Sequence, residues 1–548
     1  MRTACGRFCA ARRRNENRSE DRDIRYSCAI GQTMEEVDVT LAAVVSPFTD
    51  SDGEAEPVDG NASGARKERG AYYTPEAVVS TLLRWAVRDR ADRLLDPSCG
   101  DGRFIVGHAN SVGVEQDAAA AVLAETRAPQ AKVHTAEFFS WAEEARERFD
   151  CAAGNPPFIR YQRFRGDVRG KALALCARLG AHFSGLTSSW APFLVVAASL
   201  LRRGGRMAFV TPAEIGHAPY AVPLLEYLVR HFDYVHIIAV RSKLFPDLSE
   251  DCWLLYAEGF SGSTNEILFS AFETFSPTDR PPSEAKRISV SEWRSLWNCR
   301  LRPFLLPEKA RTLYQIAAFD PMSGRLGQSA SIGIGYVSGA NDFFHLRPSQ
   351  AERLRIPSDL LRPSVRNGRS LPSQNLTVAT VGAWRRSDEP FLLLRLGKTH
   401  DVPSSVRAYL DSAEGLRARE AYKCRVRSPW YSVPGVETPD FFLTYMAGLS
   451  PSLVRNVAGC AGANSVHCVK LRDKSNIRHL TKAWRTAFTQ LSAEIEGHPL
   501  GGGMLKLEPG EASQILIPPR SLWPTLDGPE IRDAIRVMRR WRHYAHDA

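Results

Sequence analysis

The hydrophobic pattern of the chain becomes regular only after about residue 68. Residues 1–68 begin rich in arginine, become acidic, and include a stretch rich in Gly, Ser and Asn with little periodicity. Such a composition buries too little apolar surface to form a core, so we expect this segment to be disordered. No apolar run follows the basic start, which argues against a secretory signal. Met34 is a second candidate for the start of translation.

Helical and strand-like patterns alternate from Gly70 onward. Apolar residues at helical spacing, with Thr74 as the N-cap and Pro75 in the first turn, predict a helix over 74–89. Further helices are predicted up to about residue 128, after residue 135, and over 190–203. The predicted strands are 93–96, 111–115, 131–135, 150–153, 206–211, 234–240 and 252–258. This alternation predicts a doubly wound, mainly parallel α/β sheet over residues 69–280.

The remainder of the chain, residues 281–548, mixes short strand-like runs, Pro/Gly turns and a few helices, which predicts a mixed α+β domain. This half holds the excess positive charge. Residues 301–548 contain 34 Lys and Arg against 22 Asp and Glu, whereas the rest contains 37 against 39. A polyanion bound to this half would gain from phosphate neutralisation and counterion release. A solvated basic surface explains the charge equally well.

The composition excludes several classes of protein. The 548 residues are 44% hydrophobic and 24% charged, as in an ordinary globular protein of two or three domains. The longest apolar run, Trp190 to Leu201, is shorter than the ~20 residues of a membrane span, so no membrane association is expected. The 11 cysteines are scattered without a CxxC pair. This predicts a cytoplasmic protein with neither a disulfide scaffold nor a metal site.

The first motif that carries chemistry is DPSCGDGRF, residues 96–104. Asp96 ends the first strand, and Gly100 and Gly102 form the turn that follows. Glycines let the backbone approach a ligand closely, and ligands bind at the carboxyl ends of such strands. Ile105 stands where a dinucleotide fingerprint needs its third glycine, which argues against NAD or FAD. A plain tight turn is the alternative.

Two acidic residues follow the next strands. Glu115 closes the second strand, where a carboxylate can accept both hydroxyls of a ribose. Glu137 follows the third strand and can accept from an adenine amino group, with Phe138 beside the ring. Each residue alone is also explained as a solvated carboxylate. Their order after successive strands supports one nucleoside-binding site.

The tetrapeptide NPPF, residues 155–158, follows the fourth strand. Pro156 and Pro157 lack backbone donors and make a stiff turn. The side-chain oxygen of Asn155 and the carbonyl of Pro156 can then both accept from an exocyclic amino group. Phe158 offers a flat face for a planar base. A structural Asn-Pro turn is the alternative.

In this order, GAYYTP (residues 70–75), DPSCGDGRF, the two acidic residues and NPPF resemble the class gamma, S-adenosylmethionine-dependent DNA N6-adenine methyltransferases of type II restriction–modification systems. IGIGYVSGANDFF, SPWYSVP and GGGMLKLEPGE in the C-terminal half also resemble this group. The resemblance covers about residues 70–520. It implies a Rossmann-like catalytic domain over 69–280, followed by a DNA target-recognition domain over 281–548. The stretch 102–111 is short for the first helix of this fold, so we expect that helix to be trimmed.

The resemblance also implies roles for individual residues. The methionine end of the cofactor would be held by Tyr72, Tyr73 and Thr74, and the pocket would be lined by Asp96, Ser98 and Gly100. Glu115 would bind the ribose, and Glu137 and Phe138 the adenine. The target amino group would be held by Asn155 and Pro156 within the catalytic Asn155, Pro156, Pro157 and Phe158, and the target base would stack between Phe158 and Phe245. DNA contacts would come from Asn341, Arg425, Arg427, Trp430 and Tyr431.

The implied partner is double-stranded DNA, with a separate restriction endonuclease in some systems, and one chain carrying both domains would act as a monomer. Three alternatives stay open: an N4-cytosine methyltransferase, a protein-glutamine methyltransferase and a non-catalytic DNA-specificity component. Neither Cys99 nor Cys151 follows a proline, which argues against C5-cytosine chemistry.

Overall fold

The computed structural model of the protein describes residues 74–544, except 247, 249 and 398–401. The disorder expected for residues 1–68 and the roles expected for Tyr72 and Tyr73 therefore lie outside the described residues. Within the described ranges, no helix is long and apolar enough to cross a lipid bilayer.

The first half of the described chain alternates strands and helices. Its strands are β1 (Leu94–Asp96), β2 (Ser111–Glu115), β3 (Lys132–Thr135), β4 (Phe149–Gly154), β5 (Leu201–Pro212), β6 (Phe232–Val240), β7 (Cys252–Phe260), β8 (Glu266–Phe272) and β9 (Lys286–Ser289). Its helices are α1 (Glu76–Ala86), α2 (Ala118–Arg127), α3 (Phe138–Glu144), α4 (Gly166–Arg178), α5 (Trp190–Ser199) and α6 (Val222–His231).

These strands form one nine-stranded sheet with the order β3-β2-β1-β4-β5-β7-β6-β8-β9. The neighbours from β3 to β5 are all parallel. Strand β7 lies antiparallel between β5 and β6, so the sheet is mixed. The predicted α/β fold with a doubly wound sheet is confirmed. The strand order reverses between β1 and β4, and the crevice at such a switch point is where doubly wound sheets bind ligands.

The predicted elements differ from the observed ones in informative places. Strand β2 has the predicted bounds, whereas the helix predicted over 190–203 ends at Ser199. Residues from Leu201 onward belong instead to β5, because Leu201 pairs with Phe149 of β4. Helix α5 is buried from Trp190 to Ala198, as expected of a helix that is apolar on all sides.

Two apolar cores cover the faces of the sheet. Helix α1 contributes Val78, Val79 and Leu82 to one core, together with Phe104. The other core contains α5, and it also contains Phe488 and Ile531 from the far end of the chain. The C-terminal segment therefore completes the core on one face of the sheet.

The second half is a mixture of helices and small sheets. Its helices are α7 (Val290–Ser295), α8 (Glu308–Phe319), α9 (Leu326–Ser329), α10 (Asn341–Phe344), α11 (Pro348–Arg353), α12 (Val378–Arg386), α13 (Ser404–Leu410), α14 (Ala413–Glu420), α15 (Tyr422–Arg425), α16 (Ile477–Ala483), α17 (Ala487–Glu496), α18 (Pro509–Gln514), α19 (Trp523–Leu526) and α20 (Pro529–Trp541). The larger of its sheets are formed by β11 (Ala330–Ile334), β13 (Leu361–Val365), β15 (Leu392–Leu394), β16 (Phe441–Thr444), β18 (Leu453–Asn456) and β20 (Val466–Leu471). Shorter strands are β10 (Gly324–Arg325), β12 (His345–Leu346), β14 (Asn375–Leu376), β17 (Met446–Ala447), β19 (Ala461–Gly462), β21 (His498–Pro499), β22 (Leu505–Lys506) and β23 (Leu516–Ile517).

Candidate cofactor-binding and catalytic site

A cavity of about 370 Å³ opens at the carboxyl ends of β1 to β4. Its lining includes Asp96 at the end of β1, Glu115 at the end of β2, Glu137 after β3 and Asn155 after β4. Four residues that are far apart in the sequence thus meet at one edge of the sheet. This is the expected ligand crevice of a doubly wound fold.

The glycine turn after β1 contributes Gly100 to the lining of this cavity. Gly100 has a φ of +53°, and a Cβ added there would meet nothing within 4 Å, so the backbone faces open space. Gly102 has a φ of +86°, and its Cβ would lie 2.9 Å from Cα of Ala124 in α2. After the turn, only the 3₁₀ turn Ile105–Gly107 stands in place of a first helix, which confirms the expected trimming.

Asp96 is almost fully buried at the centre of the site, with 1% of its surface exposed. Its Oδ1 accepts a hydrogen bond from the N–H of Ser98 across 3.1 Å. Burial, together with the negative charges of Glu115 and Asp101, raises the pKa of Asp96 to about 8. A cationic ligand beside Asp96 would favour its ionised form.

The carboxylate of Glu115 is fixed by the backbone around it. Its Oε2 accepts from the N–H of Gly100 across 3.0 Å, and its Oε1 accepts from the N–H of Asp117 across 2.8 Å. Since each carboxylate oxygen has two acceptor positions, both can also accept from a bound ligand. This arrangement orients the carboxylate toward the cavity that it lines.

Glu137 has a structural role that the sequence analysis did not predict. It caps α3, because its two oxygens accept from the N–H groups of Phe139 and Ser140 and from the hydroxyl of Ser140. These bonds use most of the roughly four acceptor positions of a carboxylate. The neighbouring Phe138 packs against Phe193 with ring centroids 5.0 Å apart, which gives the cavity an aromatic wall.

The NPPF turn is held at both ends. Ser98 donates its hydroxyl to the backbone carbonyl of Asn155 across 3.3 Å. At the far end, the hydroxyl of buried Ser189 accepts from the N–H of Ile159 and donates to the carbonyl of Pro157. Asn155 and Pro157 both line the cavity. Asn155 and Pro157 therefore belong to a turn that is held in place beside the cavity, whereas Pro156 and Phe158 are not among the lining residues.

The two aromatic residues expected to sandwich a base lie deeper than that role requires. Phe158 is half-buried and packs at the boundary of the two cores, and Phe245 is 5% exposed in the core that contains α1. Neither belongs to the lining of the cavity. The flanking Leu244 and Leu248 are buried in the same core, which turns this segment inward.

Two of the residues expected to contact DNA hold segments of the C-terminal half together. Arg427 donates to the carbonyls of Val337 and Ser338, and its burial lowers its pKa. Trp430 packs against Phe343, with ring centroids 5.7 Å apart. The structure therefore brings the stretches IGIGYVSGANDFF and SPWYSVP into contact, although they are distant in the sequence.

The other three expected DNA contacts differ in exposure. Tyr431 is partly buried. It packs against Trp430 and against the apolar cluster that contains Phe343. Asn341 and Arg425 are exposed, and the Oδ1 of Asn341 accepts from Ser338 across 2.6 Å. Asn341 and Arg425 are therefore the expected contacts that a large ligand can reach directly.

Several lining residues were missed at the level of sequence. They are Asp101, Arg103, Ile159, Phe164, Ser189 and Phe193. Arg103 lies inside the motif DPSCGDGRF, and its positive charge was the signal in the sequence that could have identified it as a lining residue. The polar run Thr187–Ser189 before an apolar helix reads as a capping signal, but Ser189 makes no side-chain cap and bonds to the NPPF segment instead.

The lining fits S-adenosyl-L-methionine. This molecule carries a nucleoside, which suits the aromatic wall and the carboxylate of Glu115, and it carries two cationic groups, which suit the acidic lining around Asp96. The open backbone at Gly100 leaves room for close approach. The fold and the cavity therefore define a Rossmann-like, S-adenosylmethionine-dependent methyltransferase.

Comparison with known protein families supports a methyltransferase and indicates which group of methyltransferases this chain resembles. Residues 115–245 match the family described as Eco57I restriction-modification methylase. Residues 300–545 match the family described as type II methyltransferase M.Eco57I, C-terminal domain. The two matches lie on the halves of the chain in the order that the resemblance implied.

Two type II methyltransferases are similar to most of this chain. The type II methyltransferase M.AccI of Acinetobacter calcoaceticus is 19% identical over 472 residues, covering 82% of this chain and 85% of the relative. M.XamI of Xanthomonas campestris pv. amaranthicola is 24% identical over 477 residues, with the same coverage. The type IIL restriction–modification enzyme MmeI, solved in complex with DNA, shares the fold. It superposes with a TM-score of 0.51 at 12% identity and covers 85% of this chain and 71% of MmeI. Together these findings show that the chain is similar to type II restriction–modification methyltransferases, and they support S-adenosyl-L-methionine as its cofactor.

Proposed function

We propose that the protein methylates the N6 amino group of an adenine in double-stranded DNA, as a class gamma enzyme. The observation that carries this proposal is the position of Asn155, which lines the same cavity as Asp96 and Glu115. A base held by NPPF would thus lie at the edge of the cofactor pocket. In this scheme residues 69–280 are catalytic and residues 281–548 recognise the target sequence.

The NPPF turn supplies what an adenine amino group needs to react. The lone pair of that nitrogen is delocalised into the ring, so it is a poor nucleophile. The side-chain oxygen of Asn155 and the carbonyl of Pro156 would accept hydrogen bonds from its two N–H groups and favour a more tetrahedral nitrogen. When bound, S-adenosyl-L-methionine would supply a sulfonium-activated methyl group: as the N–C bond forms, the C–S bond would break to release S-adenosyl-L-homocysteine, and one amino proton would pass to solvent. The protein contributes mainly positioning and electrostatics, which is consistent with a turn fixed through Ser98 and Ser189.

The target base must leave the duplex to reach this turn, at a cost of a few kcal/mol. Phe158 lies two residues after Pro156 and is half-buried against both cores, so stacking of a base on its ring would require the local packing to adjust. Phe245 is packed in the core, and its contact with the base requires the segment around Leu244 to move. We therefore assign the first stacking contact to Phe158 and treat Phe245 as a contact that forms on base entry.

The basic C-terminal half is proposed to bind the DNA. Asn341 and Arg425 are the exposed candidates for contact, whereas Arg427, Trp430 and Tyr431 support the fold of the region that presents them. Phosphate contacts would give affinity, and contacts to base edges would give the recognition sequence.

The experiment that tests this function is transfer of an isotopically labelled methyl group to duplex DNA of mixed sequence, followed by digestion to nucleosides. We expect labelled N6-methyldeoxyadenosine. Labelled N4-methyldeoxycytidine would replace the adenine assignment with N4-cytosine methylation. Cofactor binding without transfer to DNA, together with transfer to a protein glutamine or no transfer at all, would overturn the proposal. The matched control is the Asn155→Ala variant, in which DNA labelling should disappear.

A further inference from the structure

The cofactor cavity contains one basic side chain among its lining residues, all of which belong to the described part of the chain. That residue is Arg103. The acidic lining residues are Asp96, Asp101, Glu115, Asp117 and Glu137. A cavity with this charge pattern suits a ligand that is mostly cationic and has a single anionic group. S-adenosyl-L-methionine is such a ligand, because it has a sulfonium, an ammonium and one carboxylate.

Contacts on two sides hold Arg103 in place. Its Nε donates to Oδ2 of Asp101 across 3.3 Å, and its Nη1 reaches the carbonyl of Thr74 at 3.5 Å. Asp101 is itself buried and forms a second ion pair with Arg127, whose Nη1 lies 2.6 Å from the same Oδ2. Arg127 lies on α2 and is not part of the cavity lining. The guanidinium of Arg103 is therefore oriented before any ligand binds.

The position of Arg103 in the sheet separates it from the nucleoside end of the cavity. The ribose is expected at Glu115, at the end of β2. Thr74, which Arg103 contacts, lies two residues before α1, and α1 packs on β4 and β5, on the other side of β1. A cofactor whose adenosine lies toward β2 and β3 would extend its amino-acid end toward Thr74 and Arg103.

We propose that Arg103 binds the α-carboxylate of the methionine part of S-adenosyl-L-methionine. A guanidinium has five N–H donors in a rigid fork, and this geometry matches a carboxylate better than an ammonium does. Its bonds to Asp101 and Thr74 preorganise it, which limits the entropy lost on binding. The assignment rests on the cofactor and does not depend on which base is methylated.

The test compares two ligands that differ only in the carboxylate. Calorimetry on the full-length protein without DNA would measure the affinity of S-adenosyl-L-methionine and of its decarboxylated form. The proteins are the wild type, Arg103→Gln and the matched control Arg127→Gln. The control removes the other cation that holds Asp101 but leaves the cavity lining unchanged.

We expect Arg103→Gln to weaken S-adenosyl-L-methionine binding about tenfold or more, as for a lost hydrogen bond between charged groups. Its affinity for the decarboxylated ligand should change by less than about twofold, because the group that Arg103 contacts is missing. Arg127→Gln should retain the ligand preference of the wild type. Equal weakening for both ligands in Arg103→Gln, or no weakening for either, would overturn the proposal.

A second variant keeps the test decisive if Arg103→Gln fails to fold. Arg103→Lys keeps the positive charge and loses the fork, so its preference for the carboxylated ligand should fall between those of the wild type and Arg103→Gln. Thermal unfolding of each variant identifies a folding defect. Because no DNA is present, failure of this test is distinguishable from failure of the proposed DNA methylation.

Discussion

The hydroxyl of Ser189 lies 3.0 Å from the backbone nitrogen of Ile159 and accepts its hydrogen bond. The N–H of Ser189 returns a bond to the carbonyl of Ile159 across 2.9 Å, and its hydroxyl donates to the carbonyl of Pro157. Ser189 is fully buried and immediately precedes α5, which is itself buried in the main core. The turn that presents Asn155 is thereby fixed to a rigid element of the fold.

Replacing Ser189 by alanine should lower kcat for methyl transfer while leaving cofactor affinity nearly unchanged. The loss of two hydrogen bonds would leave the partly buried N–H of Ile159 and carbonyl of Pro157 without these partners, at a cost of up to about 1–3 kcal/mol each. We expect kcat to fall about tenfold or more, since small displacements of a reacting group are costly. Steady-state kinetics and calorimetry would separate the two effects.

The matched control for Ser189 is Ser199→Ala at the other end of α5, where the hydroxyl bonds to the carbonyl of Val196 and not to the turn. A kcat as low in Ser199→Ala as in Ser189→Ala would show that the effect is general destabilisation. Ser189→Thr, which keeps the hydroxyl, should recover part of the rate.

Asn155→Ala should abolish methyl transfer but retain cofactor binding. Removing one acceptor for the amino group should cost about 100-fold or more in kcat, by analogy with the loss of a preorganised charge-stabilising group. Asn110→Ala is the control, because Asn110 bonds to the carbonyl of Ala91 at the opposite edge of the sheet. Severe loss of cofactor affinity in Asn155→Ala would contradict the assigned role.

Gly102→Ala should destabilise the protein more than Gly166→Ala. Both glycines have a positive φ, +86° and +67°, so alanine is strained at either site by about 1–2 kcal/mol. A Cβ at 166 meets nothing within 4 Å, whereas one at 102 lies 2.9 Å from Cα of Ala124 and forces α2 away. The added overpacking should cost a further ~1–3 kcal/mol, measured by denaturant unfolding. Equal losses in the two variants would show that α2 moves without cost.

Cofactor affinity should rise with pH until the pH reaches about 8, the pKa to which burial raises Asp96. Below that pH the buried carboxyl is protonated in the free protein, and a cationic ligand must displace the proton to gain the charge. The same shift makes stability of the free protein fall as pH rises from about 4 toward 8, because the unfolded state loses its proton first.

Calorimetry in buffers of different ionisation enthalpy measures the proton released by Asp96 on binding. Asp96→Asn should remove the pH dependence of affinity below pH 8 and lessen the decline of stability. A variant that keeps the full pH dependence of the wild type would assign the proton to another group.

Local patterns predicted the elements and motifs that depend on neighbouring residues, and they missed those that depend on distant ones. The bounds of β2 follow from its local apolar run. The crevice formed by Asp96, Glu115 and Asn155 follows from the order of the strands that precede these residues. The end of α5 was wrong because Leu201 is recruited by pairing with Phe149, which local hydrophobicity does not encode. The supporting role of Arg427 requires contact with Ser338, 89 positions away.

The packing of the C-terminal helix α20 limits how parts of this protein can be exchanged with those of relatives. Ile531 and Met538 of α20 belong to the same apolar core as Phe209 of β5 and Trp190 of α5. The C-terminal segment thus meets the nine-stranded sheet through a hydrophobic interior. If the C-terminal half reads the target sequence as proposed, exchanging it between relatives would require α20 to stay with the nine-stranded sheet, or its facing residues to be redesigned together with it.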